Sequence, residues 1–460
     1  MKKQNRVAFF NFLSVVLLRG ISFFTGPIFS RMLGTGSYGV TSIYNIWVSA
    51  VAIVFSLQVA GTLPTARVQY PEDKQDGYHS SILSMAMASF LTLSLVVMVF
   101  CRPIASALHF DTILVPLLLF HAFCNFCAQL LNQKFVYEYR ADLNCLISVL
   151  VAVLTLVLSV VFIKLLPPEQ GYFGRIFAVA LTYGVVGMFG CIYILRKGRV
   201  FYNREYWKFC LPLALPMVFY TLSDLVLGQS DRVMLQHMMN DNAVGQYSYA
   251  LNFAMIMFTI FTALNTSWCP FFFDDMKYGR KENVVRQGKN FAELFTVLSA
   301  GFLLLYREVF RVYARADYWP AMSCIPVFVA GYYLNFLCTF PINYEYYRQK
   351  TKAVAVITVI VSVVNIGLNF LLIQQMGMLG AALATTISHG LQFALHYGYV
   401  RLVLGEYPFP VRTWLVPGLL LLAVVVLVFA TPKLWLLRWG LGAAIGIWEL
   451  LQIKKRKSLF

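Results

Sequence analysis

The sequence predicts an all-α polytopic membrane protein with about fourteen transmembrane helices: two six-helix lobes and two further helices at the carboxyl end. Three observations support this. Of the 460 residues, 59% are hydrophobic and only 12% charged, with a mean hydropathy of +0.69; a soluble domain has about a quarter charged residues with which to cover its surface. Apolar segments of about 20 residues, long enough to cross about 30 Å of hydrocarbon, recur along the whole chain. Features of the first half also return in the second at a constant spacing.

In order, the predicted spans are Ala8–Leu33, Val40–Leu63, Ser80–Cys101, Ile113–Gln133, Leu143–Leu165 and Gly174–Leu195, then Cys210–His237, Gly245–Trp268, Phe291–Val312, Pro320–Pro341, Val354–Gln374 and Met378–Val400, and finally Trp414–Ala430 and Leu434–Ile453. The opening "MKKQNRVAFFNFLSVVLLRG" has the basic and apolar parts of a signal peptide. Its apolar run is long, contains Arg19 and lacks a small-residue cleavage site, so it is expected to be the first span. On this map most of the 37 Lys and Arg residues lie on one side, in the amino tail, the even-numbered connections and the tail "KKRK" at Lys454–Lys457. Basic residues gather on the cytoplasmic side, so both termini are expected there, in a cytoplasmic membrane.

The net charge of +17 has no polar domain to display it, which argues against nucleic acid as a partner. The nine cysteines fall mostly within predicted spans, and the Cys124–Cys127 pair has no second pair or histidine cluster to complete a zinc site. No HExxH and no Gly-rich phosphate loop after a strand is present, so no metalloprotease or nucleotide hydrolase is expected.

The repeat sets the organisation. Gly39 matches Gly245, Gly171 matches Gly377, Gly174 matches Gly380, Ala178 matches Ala384 and Gly184 matches Gly390, all at one offset; "YEY" at Tyr137–Tyr139 recurs one residue out of register at Tyr344–Tyr346. Six helices return the chain to its starting side, so the halves share an orientation about a pseudo-two-fold axis along the membrane normal. The expected divisions are residues 1–198, 199–405 and 406–460. Transporters of this plan bind substrate between the lobes near mid-membrane.

Charge inside the spans marks candidate sites, because an intramembrane ion costs at least about 2.5 kcal/mol unless it has a partner or water. Arg19 lies eleven residues into the first span, about 16 Å deep at the helical rise. By the repeat, Asp224 falls at similar depth, with Asp231 and Arg232 further along. Arg19, Phe23, Gly26 and Ser30 share one helical face, as do Asp224, Gly228, Asp231 and Leu235, so both faces are aimed at a hydrated cleft. For Asp231 and Arg232 the alternative is mutual neutralisation, or capping at a helix end.

Arg19, Pro27, "SRMLG" at Ser30–Gly34, "YG" at Tyr38–Gly39 and "SDRVMLQHMMNDNAVGQYSYA" from Ser230 carry a resemblance that extends over nearly the whole chain. The chain resembles bacterial polysaccharide repeat-unit flippases, the O-antigen and capsule exporters of the multidrug/oligosaccharidyl-lipid/polysaccharide (MOP) superfamily, which implies a MATE-like fold. The resemblance further implies a transporter with no enzymatic step, moving undecaprenyl-diphosphate-linked oligosaccharide from the inner to the outer leaflet by alternating access, for surface polysaccharide assembly. Substrate contacts are expected from Arg19, Arg31, Arg232, Asp224, Asp231 and Arg67, the guanidinium groups holding phosphate oxygens; for Arg67 and Arg140 the alternative is ordinary anchoring at the membrane face.

The similar lipid II flippases hold a sodium ion in the second lobe. Here Asp224, Asn365, Asn369 and Thr385 fall at the corresponding places, with Asn369 where a second carboxylate is expected; Asn365 and Asn369 could instead simply bond helices together. Coupling to Na+ or H+ is the expectation this carries, with no other cofactor. Membrane lipids and the polysaccharide polymerase and chain-length machinery are the expected partners. The rival readings are a multidrug/cation antiporter of the same superfamily, which deep Arg19 argues against, and a membrane polysaccharide polymerase or ligase, for which no external connection is long enough.

Overall fold

Backbone in hydrocarbon must satisfy its own hydrogen bonds, which leaves a chain of this composition helix or closed barrel. The computed structural model describes residues 21, 25–138, 140–405 and 407–456, and every regular element among them is helical. The predicted first span lies largely outside the described residues, and Arg19 with it; its described part, α1, is residues 25–32.

Then follow α2 (Thr35–Phe55), α3 (Leu63–Gln69), α4 (Glu72–Val99), α5 (Cys101–Ala107), α6 (Leu114–Tyr137), α7 (Ala141–Leu165) and α8 (Gly171–Gly198). The chain continues through α9 (Arg204–Met238), α10 (Asp241–Lys277), α11 (Lys281–Tyr313), α12 (Cys324–Tyr347), α13 (Thr351–Met376), α14 (Met378–Tyr399), α15 (Arg412–Ala430) and α16 (Trp435–Arg456). Among the described residues twelve helices are long and apolar enough to cross a membrane, and the protein is a multi-pass membrane protein. The ninth predicted span lies within α11, a 33-residue helix that does not join the twelve: beyond the charged first turns, Glu293, Arg307, Glu308 and Arg311 interrupt its apolar run. At 37 residues, α10 is about 55 Å long at the helical rise, more than hydrocarbon needs, so its Asp274–Lys277 end can project beyond the apolar zone. Arg280 pairs with Asp275 at 3.0 Å across the turn to α11, which Gly279 makes at φ +70°.

The chain forms two compact units, Met1–Val226 and Leu227–Phe460, the division falling within α9. In the first, α8 packs on α4, α6 and α7. Leu146, Leu150, Val153 and Val157 are exposed at helical spacing along α7, an outward apolar face suited to lipid. In the second unit α14 packs on α12 and α13, while α15 and α16 pack on α11. Its core is aromatic: Phe291, Phe295 and Phe336 sit with centroids 4.5 to 6.0 Å from their neighbours, and Trp268 lies 5.3 Å from Phe340.

Two glycines of the sequence repeat make equivalent close approaches. A Cβ on Gly174 would lie 2.9 Å from the backbone of Phe162 on α7, and one on Gly380 would lie 2.0 Å from the Leu372 carbonyl oxygen on α13. Small residues let helix backbones meet this closely where no hydrophobic force drives them together.

Candidate functional site within the two units

In the second unit, the end of α9 places Asp231 against α10. The Asp231 carboxylate is buried; the Tyr247 hydroxyl donates to Oδ2 at 2.5 Å and the Arg232 backbone N–H to Oδ1 at 2.8 Å. Arg232 Nε lies 3.9 Å from the same carboxylate, and its Nη2 donates to the Gly228 carbonyl at 3.4 Å. Arg232 Nε itself is buried without a hydrogen-bond partner. The pair therefore neutralises itself in part, as the alternative sequence reading has it, while the guanidinium keeps unused donor capacity.

Next to Asp231 on α9, Ser230 Oγ donates to Asn365 Oδ1 at 3.3 Å, and Asn369 Nδ2 donates to the same oxygen at 2.9 Å. Asn365 Nδ2 in turn donates to Ser388 Oγ at 3.1 Å. Spacing of four on α13 stacks Asn365 and Asn369 one above the other, so their meeting follows from helical geometry. The one side-chain oxygen of Asn365 thus accepts two bonds, whereas Asn369 Oδ1 and Thr385 Oγ1 are buried with no hydrogen-bond partner. Two open, uncharged oxygens suit a hard monovalent cation better than a transition metal. Asp224 is exposed on α9, and no described side chain bonds to it or pairs with it.

The polar face continues along α14. His389 lies 3.3 Å from both Asn335 and Gln392, and His396 Nδ1 lies 2.8 Å from Glu345 Oε1, with both members of that pair fully buried. Thr385, Ser388, Gln392 and His396 step by three or four, which holds them on one side of the helix.

The first unit gathers four charges where α4, α6 and α8 meet. Lys134, almost fully buried, pairs with Asp76 and, at 2.8 Å, with Glu138; Lys197 lies 3.3 Å from Asp76 and 3.2 Å from Glu138. His79 Nδ1 is 3.1 Å from Lys134 Nζ. Burial alone would raise the Glu138 carboxyl, but Lys134 and Lys197 outweigh it and hold its pKa below the ordinary value. Two cations face two carboxylates, so the cluster ties three helices together without net charge.

Of the other sequence-predicted residues, Arg31 ends α1 exposed and Arg67 sits half-buried on short α3. Sequence reasoning missed Tyr247 as the partner of Asp231, and Ser230 and Ser388 as partners of Asn365. Glu345 lies in the "YEY" repeat match, but nothing in the sequence singled it out or pointed to His396 as its partner.

A family of known proteins matches this chain over residues 6–276, and its description is "Polysaccharide biosynthesis protein". The chain belongs to that family. Among curated relatives, an Lsg locus protein of Haemophilus influenzae is 23% identical over 75% of this chain and 85% of its own length. An uncharacterized membrane protein of the same organism is 22% identical over the same shares. Among solved structures, the lipid II flippase MurJ in an inward closed conformation superposes with a TM-score of 0.73 at 14% identity, covering 98% of this chain and 99% of that one. An inward-facing multidrug resistance MATE transporter of the MOP superfamily gives 0.63 at 15% identity over 89% and 94%. This member of the polysaccharide biosynthesis family thus has the MATE and MurJ fold, as its sequence predicts.

Proposed function

We propose that this protein flips undecaprenyl-diphosphate-linked oligosaccharide repeat units from the inner to the outer leaflet of the cytoplasmic membrane, for assembly of a surface polysaccharide. The observation that carries the reading is membership of a polysaccharide biosynthesis family in a chain with the fold of a lipid II flippase. MATE multidrug transporters share the fold, and the family match favours the glycan over a drug cation. Both termini lie in the cytoplasm on this reading, and the polysaccharide polymerase and chain-length machinery receive the product.

The physical task is to carry a diphosphate and a sugar head through hydrocarbon, which neither enters unaided. Transport on this reading is by alternating access of two lobes, residues 1–198 and 199–405, with residues 406–460 as an accessory pair of helices. Arg19, which lies outside the described residues, and Arg31 and Arg232 hold the diphosphate oxygens through their planar guanidinium groups; Arg67 gathers it at the inner face. Asp231 acts through Arg232, since its carboxylate is held by Tyr247 and the backbone and orients the neighbouring cation. Asp224, exposed on the same helix, changes charge or pairs with a cation during the transport cycle.

Asn369 and Thr385 would hold a coupling Na+ through their open oxygens, Asp224 would supply the charge, and Asn365, whose one side-chain oxygen already accepts from Ser230 and Asn369, would join the set by exchanging one of those bonds for the ion. No covalent bond is made or broken, so the protein is not an enzyme. Complementation tests the whole reading: the intact chain, Arg19→Ala and Asp224→Ala are each supplied to cells that lack a repeat-unit flippase but make a matched glycan. Restored surface polysaccharide with the intact chain, and loss with either variant, is expected. No polysaccharide with the intact chain removes the function; normal polysaccharide with both variants removes the site.

A further inference from the structure

The first unit contains a cavity of about 430 Å³ bounded by Ile21, Thr25 and Phe29 and by helices α2, α6, α7 and α8. Besides Thr25 of α1, its polar lining comes from four helices: Asn45, Asn132, Ser148, Thr155, Arg175 and Tyr183. Among the described residues no acidic side chain lines it.

Arg175 makes no hydrogen bond or ion pair with any described residue, and its Nη1 is buried without a partner. Other interior cations of this chain are treated differently: Lys134, Arg232 and Arg438 each have a carboxylate within salt-bridge distance. The Arg175 guanidinium instead lies over the Phe29 ring, 3.5 Å from its centroid, which fixes its plane and leaves its edge free for a planar anion. Asn132 Oδ1 and Thr155 Oγ1 line the same cavity and are likewise buried without partners. Three unsatisfied polar atoms around one space call for something to bond them. Water alone would satisfy the two oxygens but would leave the arginine without a counter-charge. A bare carboxylate or phosphate would meet the charge but leave most of the volume empty, for ligand pockets run from about 300 Å³ upward.

We propose that this cavity binds an acidic sugar of hexose size, its carboxylate on the Arg175 guanidinium and its hydroxyl groups on Asn132 and Thr155. The glycan moved would then be an acidic one, an extension that rests on the flippase reading above.

The test uses the full chain purified in detergent, titrated calorimetrically with D-glucuronate, D-glucose or inorganic phosphate. Glucuronate is expected to bind, with glucose and phosphate at least tenfold weaker. Removing a charged hydrogen-bonding partner commonly weakens binding by about tenfold or more, so Arg175→Gln should lose glucuronate to that extent and Arg175→Lys should fall between. Thr155→Val, which removes one hydroxyl and no charge, should weaken glucuronate less than Arg175→Gln, and it serves as the second variant if Arg175→Gln does not fold. Phosphate binding as tightly as glucuronate, glucose binding as tightly, no binding at all, or glucuronate binding unchanged in the variants each overturns the proposal. Because titration does not involve transport, glucuronate binding in a chain that fails complementation keeps the cavity and removes the flippase reading. Successful complementation without glucuronate binding does the reverse.

Discussion

Replacing Lys134 by Met keeps the side-chain length and removes the buried ammonium group of the two that pair with both Asp76 and Glu138. The two carboxylates are then left with Lys197, which is 40% exposed and more than 3 Å from each. Breaking a buried pair by removing one partner costs about 3–5 kcal/mol. Asp76 and Glu138 keep access to water, with 31% and 24% of their side chains exposed, so the lower end, about 3 kcal/mol, is expected. For a unit of this size each kcal/mol lowers the melting temperature by about 2–4 °C, giving a fall of about 6–12 °C. The effect has a pH signature. Lys134 helps hold the Glu138 pKa down, so its stabilisation is present above the unfolded carboxylate range, near pH 4.3, and is lost as pH falls through the lowered folded value. Melting curves of detergent-purified protein at pH 7 and near pH 4 should therefore show a wide gap between wild type and variant that narrows in acid. A fall under about 2 °C at pH 7, or a gap that widens in acid, would refute the reasoning.

Other perturbations have equally definite outcomes. Gly380→Ala should lower the melting temperature strongly or prevent folding, since its Cβ would meet the Leu372 carbonyl at 2.0 Å, whereas Gly367→Ala, with nothing within 4 Å, should be neutral or stabilise by about 0.5–1 kcal/mol; equal effects at the two positions would contradict the packing described. Tyr247→Phe should cost about 1–3 kcal/mol by leaving Asp231 Oδ2 unpaired in the interior, and the double variant with Asp231→Asn should recover part of that in a thermal cycle. Sodium at 100 mM against potassium should raise the melting temperature of the intact chain, a shift that Asn369→Ala and Thr385→Val each abolish; a shift that persists in both would place the ion elsewhere.

The helices were legible because hydrocarbon imposes a length and a composition on every crossing, and a run such as that of α7 satisfies both. α11 was legible as a span only in its second half, because its charged first turns read as connection. Asn365 and Asn369 could be paired from spacing alone, since four residues is one turn. Tyr247 could not be paired with Asp231: the two lie on successive helices whose relative rotation depends on the packing of α10 against the rest of the second unit, and no periodicity within either helix encodes it. Arg175 carried no signal of its own. Near the start of its helix it reads as one more flanking cation, and its distinction, the lack of a carboxylate partner among the described residues, is a property of five elements together. The repeat glycines 174 and 380 were legible as matching positions, while their physical role, backbone meeting backbone, needed the neighbouring helix.

The most direct measurement is transport itself: the purified protein in liposomes, given a fluorescent undecaprenyl-diphosphate-linked oligosaccharide in one leaflet, with the label followed into the other. The account predicts transfer well above protein-free liposomes and sharply reduced by Arg232→Gln. Transfer at the protein-free rate, with a correctly folded protein in the membrane, would contradict it.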